Sequence, residues 1–423
     1  MGVRTWAAGT FRSLRIRNYR LWAAGSLVSN IGTWMQRIAQ DWLVLTQLTH
    51  HSAAQVGIVT GLQFGPQLLF LPWTGAAADI FDQRKLMLAT QSVMGALAIA
   101  LGALTLSGAI QLWEVYIFAF LLGTAAAFDA PARQTFVADM VGEEDLVNAV
   151  ALNSMTFNGA RMVGPAAAGL LIGSVGTGWA FLFNGFSYFA VVLSLLMLRI
   201  RELHPMQRAP LSRGSFAEGI RYVWHRKDLL AMLVMLFLIG TFGMNFAIYT
   251  STMAVRVFHA GARGYGVLSS LMAVGTITGA LVAAGRTKST FAQLISGTAV
   301  FGLGSALAAI APGYWFYGAA LVIIGVASLS FLNSSNSLMQ LTTEPTMRGR
   351  VMAIRMAIVM GGTPLGAPLV GWVADRFGPR EALAVGAASG FLAALVGLLH
   401  CARANDLNRP AHVAAPTLGE SLK

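Results

Sequence analysis

Several ionisable side chains stand inside otherwise apolar runs, where an unpaired charge is costly. Arg37 and Asp41, in NIGTWMQRIAQDWLVL, are four residues apart and share one face of a helix. Asp129 and Arg133, in AFDAPARQTFV, repeat that spacing in the opposite order, with Pro131 loosening the helix between them. Arg161 has no acid within a turn of its own run. Its charge must be met by Asp41 or Asp129 from another element, or by an anionic substrate. The chemistry on offer is proton carriage. For Asp41 two readings stay open: a titrating carboxylate whose charge state biases conformation, or half of a permanent ion pair. Asp129 and Arg133 read as a structural or gating pair. No acid occupies mid-run positions beyond residue 229, so a proton-carrying carboxylate belongs to the N-terminal half.

The elements that hold these groups follow from composition. Of 423 residues, 56% are hydrophobic and 11% charged, against about 25% charged in soluble domains. Apolar runs of roughly 20 residues, the length that crosses a bilayer as a helix, fill nearly the whole chain. Breaks between them give twelve spans near 21–47, 54–78, 86–106, 112–134, 148–173, 177–198, 229–255, 265–285, 290–310, 313–338, 351–373 and 382–402. The fold class is therefore an all-α polytopic membrane protein with two six-helix bundles. Its expected domains are 1–200, a six-helix bundle behind a cytosolic N-terminal segment; 201–228, a basic cytosolic linker; 229–402, a second bundle; and 403–423, a cytosolic tail. Within the linker SFAEGIRYVWHRKD reads as an amphipathic surface helix. The 46 glycines suit helices packed closely in lipid.

Lys and Arg set the orientation. With the N-terminus in the cytosol, the cytosolic segments collect Arg12, Arg15, Arg17, Arg20, Arg84, Lys85, Arg199, Arg201, Arg221, Arg226, Lys227, Arg348 and Arg350, among others. The outer loops keep only Arg256, Arg263, Arg376 and Arg380. The net charge of +12 is thus a topology signal with some attraction to membrane lipid, and nucleic acid is not an expected partner. The N-terminal MGVRTWAAGTFRSLRIRNYRLW lacks a cleavable signal pattern and reads as a retained cytosolic segment. The single cysteine, Cys401, excludes an intramolecular disulfide. The histidines have no metal-ligand spacing, no Walker sequence occurs, and GLGSAL lacks the third glycine of a dinucleotide fingerprint. Neither an enzyme nor a cofactor nor a metal site is expected.

Two phrases echo each other: GAAADIFDQRK at 75–85 and GWVADRFGPRE at 371–381. The orientation puts the first in the cytosol and the second outside. A second echo pairs GARMVGPAAAG at 159–169 with GGTPLGAPLVG at 361–371, and points to a duplicated half. Twelve spans, a long basic central loop and the phrase after span two resemble the major facilitator superfamily. Gly75, Asp79, Arg84 and Lys85 match its Gly-x-x-x-Asp-Arg-x-Gly-Arg-Arg/Lys motif, while Ile80, Asp82 and Gln83 depart from it. Gly159, Gly164, Pro165 and Gly169 resemble the superfamily's antiporter motif. NIGTWMQRIAQDWLVL, AFDAPARQTFV and RGRVMAI resemble the branch of enterobactin-exporter-like and macrolide-efflux-like proteins.

That resemblance implies a proton-coupled exporter of amphipathic small molecules that alternates between inward-open and outward-open states. It would act as a monomer in the cytoplasmic membrane. The alternatives are a dedicated siderophore exporter, a lysolipid flippase or, from another class, a non-transporting sensor or scaffold. Gly75, Asp79, Arg84 and Lys85 would form a cytosolic latch between spans two and eleven, with Asp79 capping a helix and Arg84 pairing with Asp139 or Glu143. Asp375, Arg376 and Arg380 read as a capped interfacial turn, with a gating role like that of the first phrase as the alternative. Gly159, Gly164 and Gly169 would give close helix contact, with Pro165 adding a bend. Asn30, Trp34, Gln63, Asn153, Asn158, Asn245, Tyr249, Asn333, Asn336 and Gln340 are the candidates to line the substrate cavity.

Overall fold

The computed structural model describes residues 11–204, 216–285 and 289–404, without the side chains of Pro72, Ala78, Asp79, Phe216, Arg403 and Ala404. The described residues are overwhelmingly helical and contain no strand. The first run is α1 (Arg17–Trp42), prolonged by a π-type turn at Leu43–Leu48. The second is broken in two, α2 (Ala53–Leu69) and α3 (Leu71–Ile80), because Pro72 cannot donate to the preceding turn and sits instead at the start of α3. Asp82 caps α4 (Gln83–Leu106) by accepting from Lys85 N at 2.9 Å.

The next helix, α5 (Leu112–Val175), has 64 residues. At 1.5 Å per residue it measures about 96 Å, some three times the hydrocarbon thickness. It therefore covers the expected fourth and fifth spans. Between them Gly142 takes φ 71°, ψ −178°, a region essentially reserved for glycine. Gly142→Ala should destabilise the protein by about 1–3 kcal/mol, read as a lower midpoint in thermal unfolding. The chain continues through α6 (Thr177–Leu196) and the linker helix α7 (Phe216–His225). The seventh run is α8 (Lys227–Leu238) and α9 (Phe246–Thr252), with π-type turns at Ile239–Gly243 and Met253–Val257. Then follow α10 (Ala262–Ala284), α11 (Phe291–Ala309), α12 (Tyr314–Thr342), α13 (Arg348–Arg376) and α14 (Pro379–Ala404).

Among the described residues nine helical stretches are long and apolar enough to cross a membrane, the double-length α5 being one of them. The first two expected spans are not in that set. Arg20, Arg37 and Asp41 dilute α1, and Pro72 leaves α2 with 17 residues.

The chain forms two compact units. The first comprises Met1–Pro210, Asn245–Ala273 and Thr363–Ala382, and the second Leu211–Met244, Val274–Gly362 and Leu383–Lys423. In the first, Tyr19, Trp22, Met87, Phe136, Met140 and Leu195 form a core around α1, α4, α5 and α6. Helices α4 and α6 meet along glycines, and a methyl at Gly185 would lie 3.2 Å from Gly95 O. Such seams gain dispersion contacts where lipid offers no hydrophobic drive. In the second, Gly275 and Gly279 of α10 lie against the backbone of Val322 and Val326 in α12. Arg226 anchors the linker there, donating to both Asp228 oxygens (2.9 and 2.7 Å), to Tyr222 Oη (3.1 Å) and to Thr342 O (2.9 Å). On α7, Gly219 and Val223 are buried while Ile220 and Trp224, four apart, stay exposed, as an interfacial helix requires.

Candidate functional site

Trp34 is the hub of the first unit's polar interior. The Arg37 guanidinium stands 4.6 Å from its ring centroid and that of Arg161 stands 5.4 Å away. Arg37 also lies 5.1 Å from the Phe64 ring, and Phe157 meets Trp34 edge-on at 5.8 Å. The spacing Trp34-x-x-Arg37 puts ring and cation on adjacent turns of α1. Arg161 arrives from α5 because Gly164, one turn on, has no side chain: a methyl there would fall 2.5 Å from Trp34 Cβ. The antiporter-like glycine thus sets the distance between the two arginines and one indole.

Asp41 is buried, with Tyr265 Oη donating to its Oδ2 at 2.9 Å. Tyr265 belongs to α10, so this bond joins the N-terminal and C-terminal halves of the sequence within one unit. The Trp42 ring stacks on Tyr265 at 6.4 Å and holds the phenol in place. No ion pair forms between Asp41 and Arg37 among the described residues; the carboxylate turns to the hydroxyl instead. Asp129 differs: it accepts from Thr90 Oγ1 (2.8 Å), Gln91 Nε2 (2.8 Å) and both Arg133 Nε and Nη2 (3.0 Å each). With four donors this is a saturated carboxylate. Asp129→Asn should therefore cost about 1–2 kcal/mol of stability, read as a lower thermal midpoint in detergent.

The two echoed phrases part company. A methyl at Gly75 would have nothing within 4 Å among the described residues, whereas one at Gly371 would lie 2.5 Å from Ala53 O. The Asp79 side chain lies outside the described residues. Asp375, at the end of α13, accepts from Ala53 N (2.8 Å), Ala54 N (2.9 Å) and Ser52 Oγ (2.7 Å), and pairs with Arg256 at 3.1 Å. Asp375 caps another helix, α2, from more than three hundred residues away, and a carboxylate is favoured at that positive end. His50, His51 and His259 surround this contact and share with it a pocket of about 580 Å³.

More glycine contacts close the same end. Gly57 meets the backbone of Ala367, Gly266 meets Pro165 O, and a methyl at Gly169 would lie 2.7 Å from Ala262 O. Ser270 Oγ donates to Met162 O at 2.8 Å. Gly159, by contrast, faces open space. Arg84 does not reach the acids expected of it: its Nε donates to Leu195 O at 2.8 Å, securing the end of α6. Lys85 is exposed.

The cavity candidates scatter. Asn30 and Asn153 are half-buried, and Asn158 is spent on its own helix, donating to Ser154 O. Gln63 lines a small mixed cavity of about 40 Å³ with Arg37, Asn184, Met94 and Leu122. Asn245 and Tyr249 are buried at the start of α9. Asn333, Asn336 and Gln340 share the exposed side of α12 in the second unit. Sequence reasoning missed Tyr265, Phe64, Phe157, Arg256 and Ser52. The nearest signal was RGYG at 263–266, where glycine beside an aromatic hydroxyl marks a close approach.

Residues 8–423 match the transmembrane secretion effector family. The staphyloferrin A transporter of Staphylococcus aureus (strain NCTC 8325 / PS 47) is 27% identical over 362 residues, covering 84% of this chain and 89% of that protein. The multidrug efflux pump Tap of Mycolicibacterium fortuitum is 26% identical over 84% of this chain and 88% of its own. The enterobactin exporter EntS of Salmonella paratyphi A (strain ATCC 9150 / SARB42) is 27% identical over 86% and 87%. A solved bacterial homologue of the human lysosomal transporter Spinster shares the fold at TM-score 0.67 and 15% identity, over 91% of this chain and 95% of that one.

Proposed function

Because the chain belongs to the transmembrane secretion effector family, within the major facilitator superfamily, we propose that it is a proton-driven exporter of amphipathic small molecules working by alternating access. It is a multi-pass membrane transporter and not an enzyme. The observation that carries the proposal is the Asp41–Tyr265 bond at an end closed by glycine-to-backbone contacts. A carboxylate tied across the two sequence halves, at the place where they must part, links proton loading to opening.

In this reading the closed end, at Ser52–Ala54 and Asp375, faces outward. When it opens, Asp41 meets the outer solvent and takes a proton. Closing then buries one charge fewer in the apolar interior. Loss of the proton to the cytosol leaves a buried charge that reopening relieves. Asp129, saturated by four donors, holds α4 to α5. A dedicated siderophore exporter is the second reading, favoured because two relatives are named for staphyloferrin A and enterobactin transport.

Everted membrane vesicles with an acid lumen test the export reading. Amphipathic dyes of either charge should accumulate inside while the gradient lasts and leak out when nigericin collapses it. If no dye in such a panel responds to the gradient, broad proton-driven export is the wrong reading.

A further inference from the structure

Two cations share one indole here, and among the described residues neither forms an ion pair with a carboxylate, Asp41 acting on Arg37 only from beyond contact. Asp41 is taken by Tyr265 and Asp129 by Arg133. Arg37 Nε is buried without a hydrogen-bond partner. The small cavity that Arg37 enters mixes polar Gln36, Gln63, Asn184 and Tyr188 with apolar Met94 and Leu122, and no acid lines it. A cation–π contact returns only part of an ion's lost hydration, and two like charges on one ring repel. Such an arrangement is incomplete without an anion. Trp34, Phe157 and Phe64 add flat apolar surface beside the missing charge.

We propose that Arg37 and Arg161, bracketing Trp34, form the substrate-recognition site, and that the exported compounds are anionic: a carboxylate, phosphate or acidic phenolate on an aromatic or apolar body. This rests on the export reading and narrows it. The guanidiniums donate to the anion in place of an absent acid, and the rings stack on the body. Gly164 keeps α5 close enough for one ligand to touch both arginines. The anion can come from a soluble compound or from a lipid headgroup.

Purified protein in nanodiscs of zwitterionic lipid supplies the test. Binding of the aromatic dianion fluorescein and of the cation rhodamine 6G is read by fluorescence anisotropy. Arg161→Gln and Arg37→Gln should each weaken fluorescein binding at least about tenfold, as loss of a charge-assisted bond to an anion does. Arg161→Lys should fall between, and rhodamine 6G binding should hold or tighten. Displacement of fluorescein by lysophosphatidylglycerol but not lysophosphatidylcholine would identify a lipid source, and displacement by soluble aromatic carboxylates alone a soluble one. The proposal is overturned if native protein binds neither fluorescein nor lysophosphatidylglycerol, or if the Gln variants bind fluorescein like native protein. Equal loss of both dyes would also overturn it, since that is mere structural damage. Gradient-driven flux of a cation without anion binding would sink this inference alone. Anion binding without gradient-driven flux would sink the export reading alone.

Discussion

Asp41→Asn is expected to abolish gradient-driven accumulation in everted vesicles, with an initial rate lower by about 100-fold, the upper range of a coupling free energy between two sites. The substitution isolates the proton. Asparagine keeps the size of the side chain and its carbonyl still accepts from Tyr265 Oη, so the bond between α1 and α10 survives. What it loses is the ability to exist in charged and neutral forms. Downhill substrate exchange with no gradient should therefore continue near the native rate. Tyr265→Phe is the complementary change: it leaves the carboxylate and removes the bond, and it should slow both modes only about fivefold, the worth of one ordinary hydrogen bond. Asp129→Asn should spare coupling in the protein that still folds. If Asp41→Asn transports against a gradient like native protein, the coupling group lies elsewhere.

The sequence carried the architecture further than the chemistry, for a physical reason. Hydropathy is local, so the apolar runs could be read one by one, and Arg37, Asp41, Asp129, Arg133 and Arg161 stood out because charges are expensive there. Their pairing was not local. Spacing alone offers Arg37 to Asp41 and Arg133 to Asp129 on equal terms. The structure makes the second pair and leaves the first apart, because Tyr265 competes for Asp41 and comes from 224 positions away. Glycine behaves in the same way. Gly159, Gly164 and Gly169 look equivalent in the sequence, yet only Gly164 and Gly169 have a neighbour where a side chain would be. The linker helix at 216–225 was legible because a surface helix needs only its own periodicity.

The echoed phrases are the sharpest case, and they lead to the second large effect. Asp375 satisfies two amides at the start of α2, the Ser52 hydroxyl and the Arg256 guanidinium, in a setting open enough to water to discount each contact. Losing a helix cap and a charge-assisted pair at a part-exposed site costs about 2 kcal/mol. Asp375→Ala should therefore shift the balance between the closed and open forms of this end by about 30-fold towards open. The native Cys401 is buried, so cysteines introduced at positions 50 and 377 can carry spin labels selectively. Pulsed electron paramagnetic resonance should show the short distance dominating in the native protein and losing population to a longer one in the variant. An unchanged distribution in Asp375→Ala would show that the glycine seams alone hold this end shut.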